Sequence, residues 1–389
     1  MAPTEALFAI AATIPVATVF LLVARGLVVA RREARALLVV EAAPLDTPLT
    51  VVVPARNEAA RIGPTLDALL ADESAHLRVL VVDDGSTDDT REIVRAFAAR
   101  DVRLTLHEGG DDGTPGFGKP LALARATSLV DAGAQEILFL DADVTLTRGA
   151  LGGLVRARRA SGAAALSGNP RLVCASVVEE ALVPAFVALV AALYRPSRVM
   201  DPRDDAAFLN GQCILVARAA LDDVGGFFAV KDTVLEDVAL ARLLKARGHA
   251  LALADLRPHA ATRMATSWRE VRASFGKNAV PLFGGPLRTF LLGALALVLG
   301  EAPLVSLAAA LALFVLVDDA RALGLVGALA LATVVGQGAL RRTMGQRAWP
   351  ALVVPFTQAC VSFVLVEASL RAWRGGTVHW RGRSYPSST

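Results

Sequence analysis

The sequence predicts an α/β domain with a parallel β-sheet, preceded and followed by helices that cross a membrane. Hydrophobic residues are concentrated at the two ends of the 389-residue chain, and the polar segment between them alternates short β-branched runs with runs of helical spacing. With 54% hydrophobic residues and a mean hydropathy of +0.50, the chain is too apolar for an ordinary soluble enzyme. The same composition excludes disorder, which requires low hydrophobicity and a high net charge.

Charge and cysteine content exclude several classes of protein. The net charge is +3, no stripe of Lys or Arg alternates with aromatic residues, and only 5% of residues are aromatic, so nucleic acid is not an expected partner. The three cysteines, Cys174, Cys213 and Cys360, are far apart and odd in number. This argues against a disulfide scaffold and a cysteine zinc site, and it fits a reducing compartment.

The N-terminal segment, residues 1–35, is predicted to be a transmembrane helix with a basic flank. Residues 7–24 are an uninterrupted apolar run, long enough to cross a hydrocarbon core of about 30 Å. Four arginines follow this run and none precede it: Arg25, Arg31, Arg32 and Arg35. A secretory signal peptide has its basic residues before the apolar run. The positive-inside rule therefore places the chain after Arg25 in the cytoplasm, and a buried core helix is the alternative.

The C-terminal region, residues 287–373, is predicted to hold three or four hydrophobic segments. Residues 289–317 are expected to be tilted, broken near Glu301 and Pro303, or partly re-entrant; residues 322–340 and 349–370 follow. Arginines give this region conflicting orientations, because one group favours a cytoplasmic loop (Arg341, Arg342, Arg347) and another a cytoplasmic tail (Arg371, Arg374, Arg381, Arg383). Either the tail, residues 374–389, is outside, or the last segment does not simply cross.

Residues 48–286, between these ends, are predicted to form the α/β domain. Four apolar, β-branched runs are expected to be buried strands: residues 49–53, 77–82, 102–107 and 136–140. Helical spacing lies between them at residues 59–70, 87–99 and 119–130, and Ser86 and Asp89 are spaced like a capping box. This alternation predicts a parallel sheet with right-handed crossovers. Polar residues follow the carboxyl ends of its strands, where open α/β sheets bind ligands.

Three pairs of acidic residues are the candidates for chemistry: Asp83 and Asp84, Asp141 and Asp143, and Glu236 and Asp237. The first pair follows a strand, where it can accept hydrogen bonds from a ribose or a base, or else cap a turn. The second pair is spaced so that both carboxylates can bind one Mg²⁺ or Mn²⁺ ion, although such a spacing also arises by chance. The third pair opens a helical segment, where it either complements the helix dipole or supplies a general base.

Five motifs resemble those of family 2 glycosyltransferases and occur in that family's order, across residues 49–285. They are P-A-R-N-E at residues 54–58, D-D-G-S-T-D-D-T at 83–90, G-K at 118–119, D-A-D at 141–143 and L-E-D-V-A-L-A-R at 235–242. The resemblance implies the GT-A fold, a Rossmann-like α/β fold that binds a nucleotide-sugar donor. It also implies Mg²⁺ or Mn²⁺ as the cofactor.

The resemblance assigns roles to individual residues. It implies a nucleotide pocket lined by Pro54, Arg56, Glu58, Asp83 and Asp84, with an aspartate on the uracil. Lys119 is expected near the nucleotide, and Asp143, with Asp141, is expected to hold the metal on the diphosphate. Asp237, beside Glu236, is expected to be the base that deprotonates the acceptor for inverting, single-displacement transfer.

Segments after the base resemble enzymes that glycosylate lipids. Residues 263–278 look like carotenoid glycosyltransferases of the hydroxychlorobactene and diaponeurosporenoate type, and residues 378–385 look like the tail of ceramide and hopanoid-lipid glucosyltransferases. The latter resemblance favours a cytoplasmic tail. Five residues are expected to close over the diphosphate or the acceptor: Arg263, Trp268, Trp380, Arg381 and Arg383. The expected reaction is non-processive transfer of a hexose, glucose from UDP-glucose in the resembled families, to a carotenoid or another polyisoprenoid or sphingoid lipid.

Other functions are weighed against this one. A processive polysaccharide synthase is disfavoured because the Q-x-x-R-W motif is absent from the region around residues 263–269. A polyprenyl-phosphate glycosyltransferase stays open. A transporter would explain the hydrophobic segments but not the aspartates at strand ends, and only Glu301 and Glu367 are acidic residues well inside those segments. The expected location is the inner cell membrane, with several spans and the α/β domain in the cytoplasm.

Overall fold

The computed structural model describes residues 3–109, 118–131, 133–317, 320–380 and 383–386, and its centre is an eight-stranded mixed β-sheet. The strands of the main sheet are β1 (Leu38–Val39), β2 (Leu49–Ala55), β3 (Leu77–Asp83), β4 (Leu104–Glu108), β5 (Glu136–Leu140), β7 (Ala165–Asn169), β9 (Cys213–Ala217) and β10 (Leu251–Asp255). A small three-stranded sheet contains β6 (Val144–Leu146), β8 (Arg171–Leu172) and β11 (Ala260–Thr262). A hairpin near the C-terminus contains β12 (Thr377–Trp380) and β13 (Arg383–Pro386).

The strand order of the main sheet is β1-β10-β7-β9-β5-β2-β3-β4. All neighbouring strands are parallel except β9, which runs antiparallel to both β5 and β7. The four predicted strands are confirmed as β2 to β5, in a parallel group with β2 between β3 and β5. Val51, Val52 and Val53 are all fully buried, because apolar cores cover both faces of the sheet. A strand buried on both faces is uniformly apolar, which is why it can be read from the sequence.

Thirteen α-helices are present in the described part of the chain. They are α1 (Pro3–Ala36), α2 (Ile62–Leu70), α3 (Thr90–Ala98), α4 (Gly118–Leu129), α5 (Ala150–Ser161), α6 (Val177–Leu193), α7 (Pro196–Val199), α8 (Arg218–Asp223), α9 (Glu236–Ala246), α10 (Trp268–Phe283), α11 (Pro286–Val317), α12 (Ala320–Thr343) and α13 (Val354–Trp373). The predicted helices between the strands are confirmed as α2, α3 and α4. The predicted capping box is wrong, because α3 begins only at Thr90 and the hydroxyl of Ser86 instead accepts from the backbone N–H of Asn57 at 3.0 Å.

Helix α1 is joined directly to the main sheet. It ends at Ala36, and Leu38 of β1 already pairs with Ala254 of β10, so the sheet starts before residue 48, where the α/β domain was expected to begin. The Glu33 carboxylate of α1 also accepts from the backbone N–H and the hydroxyl of Ser197, at 2.9 and 2.8 Å. The N-terminal helix is therefore held at two points on the domain.

A layer of four helices, α6, α10, α11 and α13, covers one side of the α/β domain and has its own apolar core. We call it the helical layer. In it Phe186 of α6 stacks on Phe275 of α10 at 4.3 Å between ring centroids. Helix α11 is continuous through Glu301 and Pro303, so the break, one of the three expected alternatives, is not seen. In the described part of the chain, five helices are long and apolar enough to cross a membrane: α1, α11, α12, the segment Val177–Val199 that contains α6, and Trp349–Trp373, which contains α13.

Candidate active site

Strands β3 and β5 lie on either side of β2 and run parallel to it. Their carboxyl ends therefore lie at the same edge of the sheet, and this brings the first two acidic pairs to that edge. Asp83 ends β3 and is fully buried; its Oδ2 accepts from the backbone N–H groups of Gly85 and Ser86 at 3.2 and 3.0 Å. Its Oδ1 is buried and has no hydrogen-bond partner among the residues that the structure describes. Asp84 is buried beside it, and the Arg56 guanidinium donates to its backbone carbonyl.

The loop after β2 is cross-linked to the loop after β3. Asn57 adopts a left-handed backbone conformation, with φ of 54°, which asparagine tolerates better than most residues. Its side-chain Oδ1 accepts from the backbone N–H of Thr87 at 2.8 Å, and the backbone N–H of Glu58 donates to the Thr90 hydroxyl at 2.8 Å. Glu58 is buried, with Arg61 3.6 Å from its carboxylate, and Pro54 lies half-buried in β2. These contacts fix the positions of the predicted nucleotide-pocket residues relative to one another.

Asp141 and Asp143 lie in the short connection between β5 and β6, both half-buried. The Thr65 hydroxyl of α2 donates to the carbonyl of Ala142 at 2.9 Å, and the backbone N–H of Asp141 donates to the carbonyl of Gln212 at 3.0 Å. The connection is therefore anchored from both sides, which leaves its two carboxylates in defined positions.

Lys119 lies between the second and third acidic pairs. Its ammonium is 2.6 Å from Oδ1 of Asp141 and 3.2 Å from Oε1 of Glu236, and it donates to the carbonyl of Gly211 at 3.3 Å. Burial alone would lower the pKa of Lys119, but the carboxylates of Asp141 and Glu236 outweigh burial and raise it. Lys119 therefore stays charged at neutral pH and holds the two acidic pairs together.

Asp237 is the second residue of α9, and its carboxylate is held by two backbone N–H groups. Gly211 donates to Oδ2 and Val238 donates to Oδ1, both at 2.8 Å. A Cβ atom at position 211 would lie only 2.9 Å from Oδ2, so the contact requires glycine. Burial, followed by the neighbouring charge of Glu236, raises the pKa of Asp237 to about 6. A carboxyl group with such a pKa can accept a proton near neutral pH.

Two contributors to the site were not predicted. The loop Asn210 to Gln212 precedes β9, and only the antiparallel pairing of β9 with β5 brings it to Asp141 and Asp237. Lys277 of α10 is the second: burial and the charge of Lys119 lower its pKa, against the opposing charges of Glu236, Asp237 and Asp141. Their sequence signals were an N-G turn and a single lysine in a helix of mixed composition, and neither is specific.

The residues expected to close over the acceptor lie in other parts of the structure. The Arg263 guanidinium binds both carboxylate oxygens of Glu179, at 3.0 and 2.9 Å, and Glu179 is buried at the start of α6. Trp268 packs on Phe363 in the helical layer, with ring centroids 6.1 Å apart. Trp380 is the last residue of β12 and Arg383 is the first residue of β13, and Arg381 lies outside the described residues. The roles of these five residues stay predictions.

The donor chemistry of the Asp141 and Asp143 pair fits a hard divalent cation. Carboxylate oxygens suit Mg²⁺ or Mn²⁺, and Mg²⁺ is usually bound by one or two carboxylates together with water and substrate phosphates. In the described part of the chain, no group of three or more His, Cys, Asp or Glu residues could hold a metal alone. The site therefore fits an ion that takes its remaining ligands from a bound diphosphate.

The mixed α/β sheet, with three acidic pairs near one edge and Lys119 between two of them, is the arrangement expected from the resemblance to glycosyltransferases of the GT-A fold. Residues 50–225 match the family described as Glycosyl transferase family 2. This part of the chain is therefore similar to family 2 glycosyltransferases, as its motifs predicted.

Two known proteins show how far the similarity extends. The 4,4'-diaponeurosporenoate glycosyltransferase of Staphylococcus aureus (strain USA300) is 36% identical over 102 residues, which cover 26% of this chain and 25% of that protein. The chain thus aligns with about a quarter of the length of the curated relatives it matches. A solved mannosyltransferase, PcManGT from Pyrobaculum calidifontis in complex with GDP-Man and Mn²⁺, has a TM-score of 0.53 at 20% identity. This alignment covers 94% of this chain and 98% of the other, and it confirms the predicted GT-A fold.

Proposed function

We propose that this protein transfers a single hexose from a nucleotide-sugar to a membrane lipid, with inversion at the anomeric carbon. The observation that carries the proposal is the Asp237 carboxylate, which two backbone N–H groups orient beside the Lys119–Asp141 pair at the ligand-binding edge of the sheet. A carboxylate with a raised pKa, next to a cluster that can receive a diphosphate, is the arrangement that single-displacement transfer requires.

The donor occupies the edge of the sheet around β2, β3 and β5. Arg56 and the buried Asp83 and Asp84 provide groups that hydrogen-bond a nucleoside, and Lys119 provides positive charge for the diphosphate. Asp143 and Asp141 hold Mg²⁺ or Mn²⁺, which when bound neutralises charge on the leaving diphosphate. Lys277 interacts electrostatically with the carboxylates of Glu236, Asp237 and Asp141. It adds a second basic group on the side of the helical layer.

Transfer proceeds by one displacement. Asp237 takes the proton from the acceptor's hydroxyl group as that oxygen bonds to the anomeric carbon of the sugar. An acceptor with a carboxyl group is already ionised at neutral pH, so its oxygen attacks the anomeric carbon without giving a proton to Asp237. The bond from the anomeric carbon to the phosphate oxygen breaks, and the nucleoside diphosphate leaves with the electron pair. Gly211 maintains the position of Asp237, since its N–H binds one carboxylate oxygen.

The acceptor is proposed to be a lipid because the site adjoins the helical layer. Arg61, in the loop after β2, is 3.1 Å from Glu270 of α10, so the donor loop contacts the layer directly. The relative from Staphylococcus aureus is named for a carotenoid-type acceptor, diaponeurosporenoate, which supports a polyisoprenoid lipid here. Glucose from UDP-glucose is the proposed sugar, by resemblance. Polyprenyl-phosphate is a second candidate acceptor, because Lys277 could bind its phosphate.

The same reasoning gives the protein's location. Helices α1, α11 and α12 are proposed to span the inner membrane, with the domain of residues 48–286 in the cytoplasm, where nucleotide-sugars are made. The tail, residues 374–389, is proposed to share that side.

The test uses membranes from cells that express the wild type or Asp237→Asn. Each is incubated with radiolabelled UDP-glucose, GDP-mannose or UDP-N-acetylglucosamine, together with a carotenoid-containing lipid extract or polyprenyl-phosphate. We expect one labelled, organic-soluble product that depends on Asp237. Label in a polymer that a chain-specific hydrolase digests would show a processive synthase. Absence of labelled lipid with every donor and both acceptors would contradict the proposal.

A further inference from the structure

We propose that Lys245, in the last turn of α9, is a positioning residue for the base Asp237 in the first turn of the same helix. Lys245 acts by fixing α9 against the segment between α7 and β9, residues 200–212, which we call the α7–β9 loop. The inference rests on the proposed function, in which Asp237 deprotonates the acceptor. It adds a second point of attachment to the contact between Asp237 and Gly211.

The Lys245 ammonium binds a cluster of backbone carbonyl groups in the α7–β9 loop. It donates to the carbonyls of Asp204, Ala206 and Asp201, at 2.6, 2.7 and 2.9 Å. The carbonyl of Arg198, in α7, lies further away at 3.4 Å. An ammonium group has three N–H donors, so the three short contacts use all of them. One side chain of α9 therefore holds several separate points of the loop.

The α7–β9 loop is also held near both of its ends by groups other than Lys245. Just before it, the backbone N–H and the hydroxyl of Ser197 in α7 donate to the Glu33 carboxylate of α1, at 2.9 and 2.8 Å. Towards its end, the backbone N–H of Asn210 donates to the Ser167 hydroxyl of β7 at 2.8 Å, and that hydroxyl donates to the Asn210 carbonyl at 3.1 Å. The loop is thus attached to α1 and to the main sheet, and it provides a fixed frame for α9.

The start of α9 is attached to the end of the same loop through the base itself. The backbone N–H of Gly211 donates to Oδ2 of Asp237 at 2.8 Å. The N-cap residue is Leu235, whose apolar side chain has no group that could cap the helix. Hydrogen bonds to an ionised carboxylate are stronger than those to a neutral group, so the Gly211 contact weakens when Asp237 takes up a proton. An attachment that does not involve the base would keep α9 in place throughout the reaction.

The Lys245 contact is well placed to provide that second attachment. Asp237 lies in the first turn of α9 and Lys245 in the last, about 12 Å apart along the axis at about 1.5 Å per residue. Between them Leu240, Ala241 and Leu244 are fully buried in the core. Apolar packing is non-directional and determines which face of α9 is inside, whereas hydrogen bonds of defined geometry at both ends determine its position along and about its axis.

A lysine in the last turn of a helix also has an ordinary role, because its charge complements the negative end of the helix dipole. Arg247, the C-cap residue of α9, has that role without the loop contact. Its exposed guanidinium donates to the carbonyl of Asp223, the last residue of α8, at 3.1 Å. Both side chains lie at the same end of α9 and bind a backbone carbonyl, but Lys245 binds the loop that holds the base. Arg247 is therefore the matched control.

Loss of the Lys245 ammonium should displace Asp237 and leave the proposed nucleoside-binding residues in place, because those residues follow β2 and β3. A displaced base lowers the rate of the chemical step, so kcat should fall while the KM for the nucleotide-sugar changes little. A smaller amount of folded enzyme would also lower the apparent kcat, but by the same factor whether or not a base is present. Removing the base therefore separates a positioning role from a purely structural one.

The test places Lys245→Met and Arg247→Met each in the wild-type and in the Asp237→Asn background, as full-length proteins in membranes. Initial rates are measured with radiolabelled UDP-glucose, GDP-mannose or UDP-N-acetylglucosamine and a carotenoid-containing lipid extract or polyprenyl-phosphate, and they are normalised to the amount of enzyme. Lys245→Gln, which keeps two N–H donors, replaces Lys245→Met if the latter does not accumulate in the membrane.

In the wild-type background, we expect Lys245→Met to lower kcat about tenfold, since a misplacement of about 1 Å can cost about 10²-fold. Arg247→Met should lower it less than about twofold, as expected for an exposed contact. In the Asp237→Asn background, neither substitution should lower the residual rate further, because the base that Lys245 positions is already absent. This non-additive pattern would support the inference.

Equal losses from Lys245→Met in the two backgrounds would show that Lys245 does not act through the base, and the inference would be overturned while the proposed function stands. The same holds if Arg247→Met lowers kcat in the wild-type background as much as Lys245→Met does. Transfer by Asp237→Asn alone at the wild-type rate would overturn the proposed base and the inference with it. Absence of labelled lipid from the wild type with every donor and both acceptors would overturn both as well.

Discussion

The active site and the ion-pair cluster of Glu179 and Glu180 at the start of α6, which we call the Glu180 junction, are both built from acidic and basic side chains, yet their charges are balanced differently. At the site, Asp141 and Glu236 share the ammonium of Lys119, and the neighbouring Asp237 accepts from the backbone N–H groups of Gly211 and Val238. At the start of α6, the carboxylate of Glu179 binds the Arg263 guanidinium, and that of Glu180 binds the Arg347 guanidinium and the Trp349 indole N–H. The Arg341 guanidinium donates to the backbone carbonyl of Glu180.

This difference separates a site that binds ligands from one that joins two parts of a fold. Burial, followed by the charge of Glu236, raises the pKa of Asp237, and an excess of carboxylates favours a cation or a proton donor. The junction already has a donor for each of its carboxylates, so it stabilises one arrangement of helices. Substitutions at the site should therefore reduce the rate of transfer, whereas substitutions at the junction should reduce stability.

The largest effect is expected for Asp143→Ala. It removes a carboxylate that is proposed to hold the metal on the diphosphate, so we expect no measurable transfer at any Mg²⁺ or Mn²⁺ concentration. Asp67→Ala, at an exposed position on α2, is the control and should keep full activity. Wild-type activity in excess EDTA, or in Asp143→Ala, would contradict the metal assignment.

Asp237→Asn is expected to lower the transfer rate by at least about 10²-fold, the lower range for loss of a general base. Donor affinity, measured by isothermal titration with the nucleotide-sugar, should change little, because the amide keeps the shape of the side chain. Glu236→Gln is the matched control. A larger loss of rate in Glu236→Gln than in Asp237→Asn would show that Glu236, and not Asp237, is the base.

Gly211→Ala tests whether the position of Asp237 matters. The added methyl group would lie 2.9 Å from Oδ2 and displace the carboxylate. A misplacement of about 1 Å can cost about 10²-fold in rate, so we expect a lower kcat at similar thermal stability. Gly63→Ala, where nothing lies within 4 Å of the new methyl group, is the matched control. Equal kcat values for the two variants would show that Gly211 does not position the base.

The pH dependence of transfer to a hydroxyl acceptor should report the raised pKa of Asp237. The base acts only when it is ionised, so kcat/KM should fall as the pH drops below about 6 and should level off above it. In Asp237→Asn this limb should disappear from the residual activity. A profile that stays flat down to pH 4.5 in the wild type would exclude Asp237 as the titrating base.

The smallest effects are expected at the junction. Arg347 is 76% exposed, so Arg347→Ala should change the free energy of unfolding by less than about 1 kcal/mol. Glu180→Ala leaves the indole of Trp349 without its acceptor, and we expect a loss of about 1–3 kcal/mol, seen as a lower melting temperature in detergent. Both variants should keep the wild-type pH profile. A changed pH profile in Glu180→Ala would contradict the separation of the two regions.

The sequence was most informative where a structural signal is local. Strands β2 to β5 are buried on both faces and are therefore continuous apolar runs, and the aspartates that follow β3 and β5 come together because parallel strands share an edge. The capping box failed because Ser86 and Thr87 bind Asn57 in another loop, a contact between distant parts of the chain.

Long-range pairing also explains what was missed. The reversal of β9 places Gly211 beside Lys119 and Asp237, but an antiparallel strand has the same apolar composition as a parallel one. Lys277 interacts with the acidic cluster because α10 packs on α6 and α13. The sequence pattern within α10 does not predict this packing.

Only Leu37 separates the end of α1 from the edge strand β1, and Ser197 fastens the same helix to the domain a second time. So short a connection gives the domain little freedom to tilt relative to the proposed membrane helix α1. If the acceptor is the proposed membrane lipid, it reaches the site by lateral diffusion. Its supply then depends on molecules per unit area and on membrane viscosity, and adding inert lipid should slow transfer by dilution in two dimensions while the aqueous donor concentration stays the same.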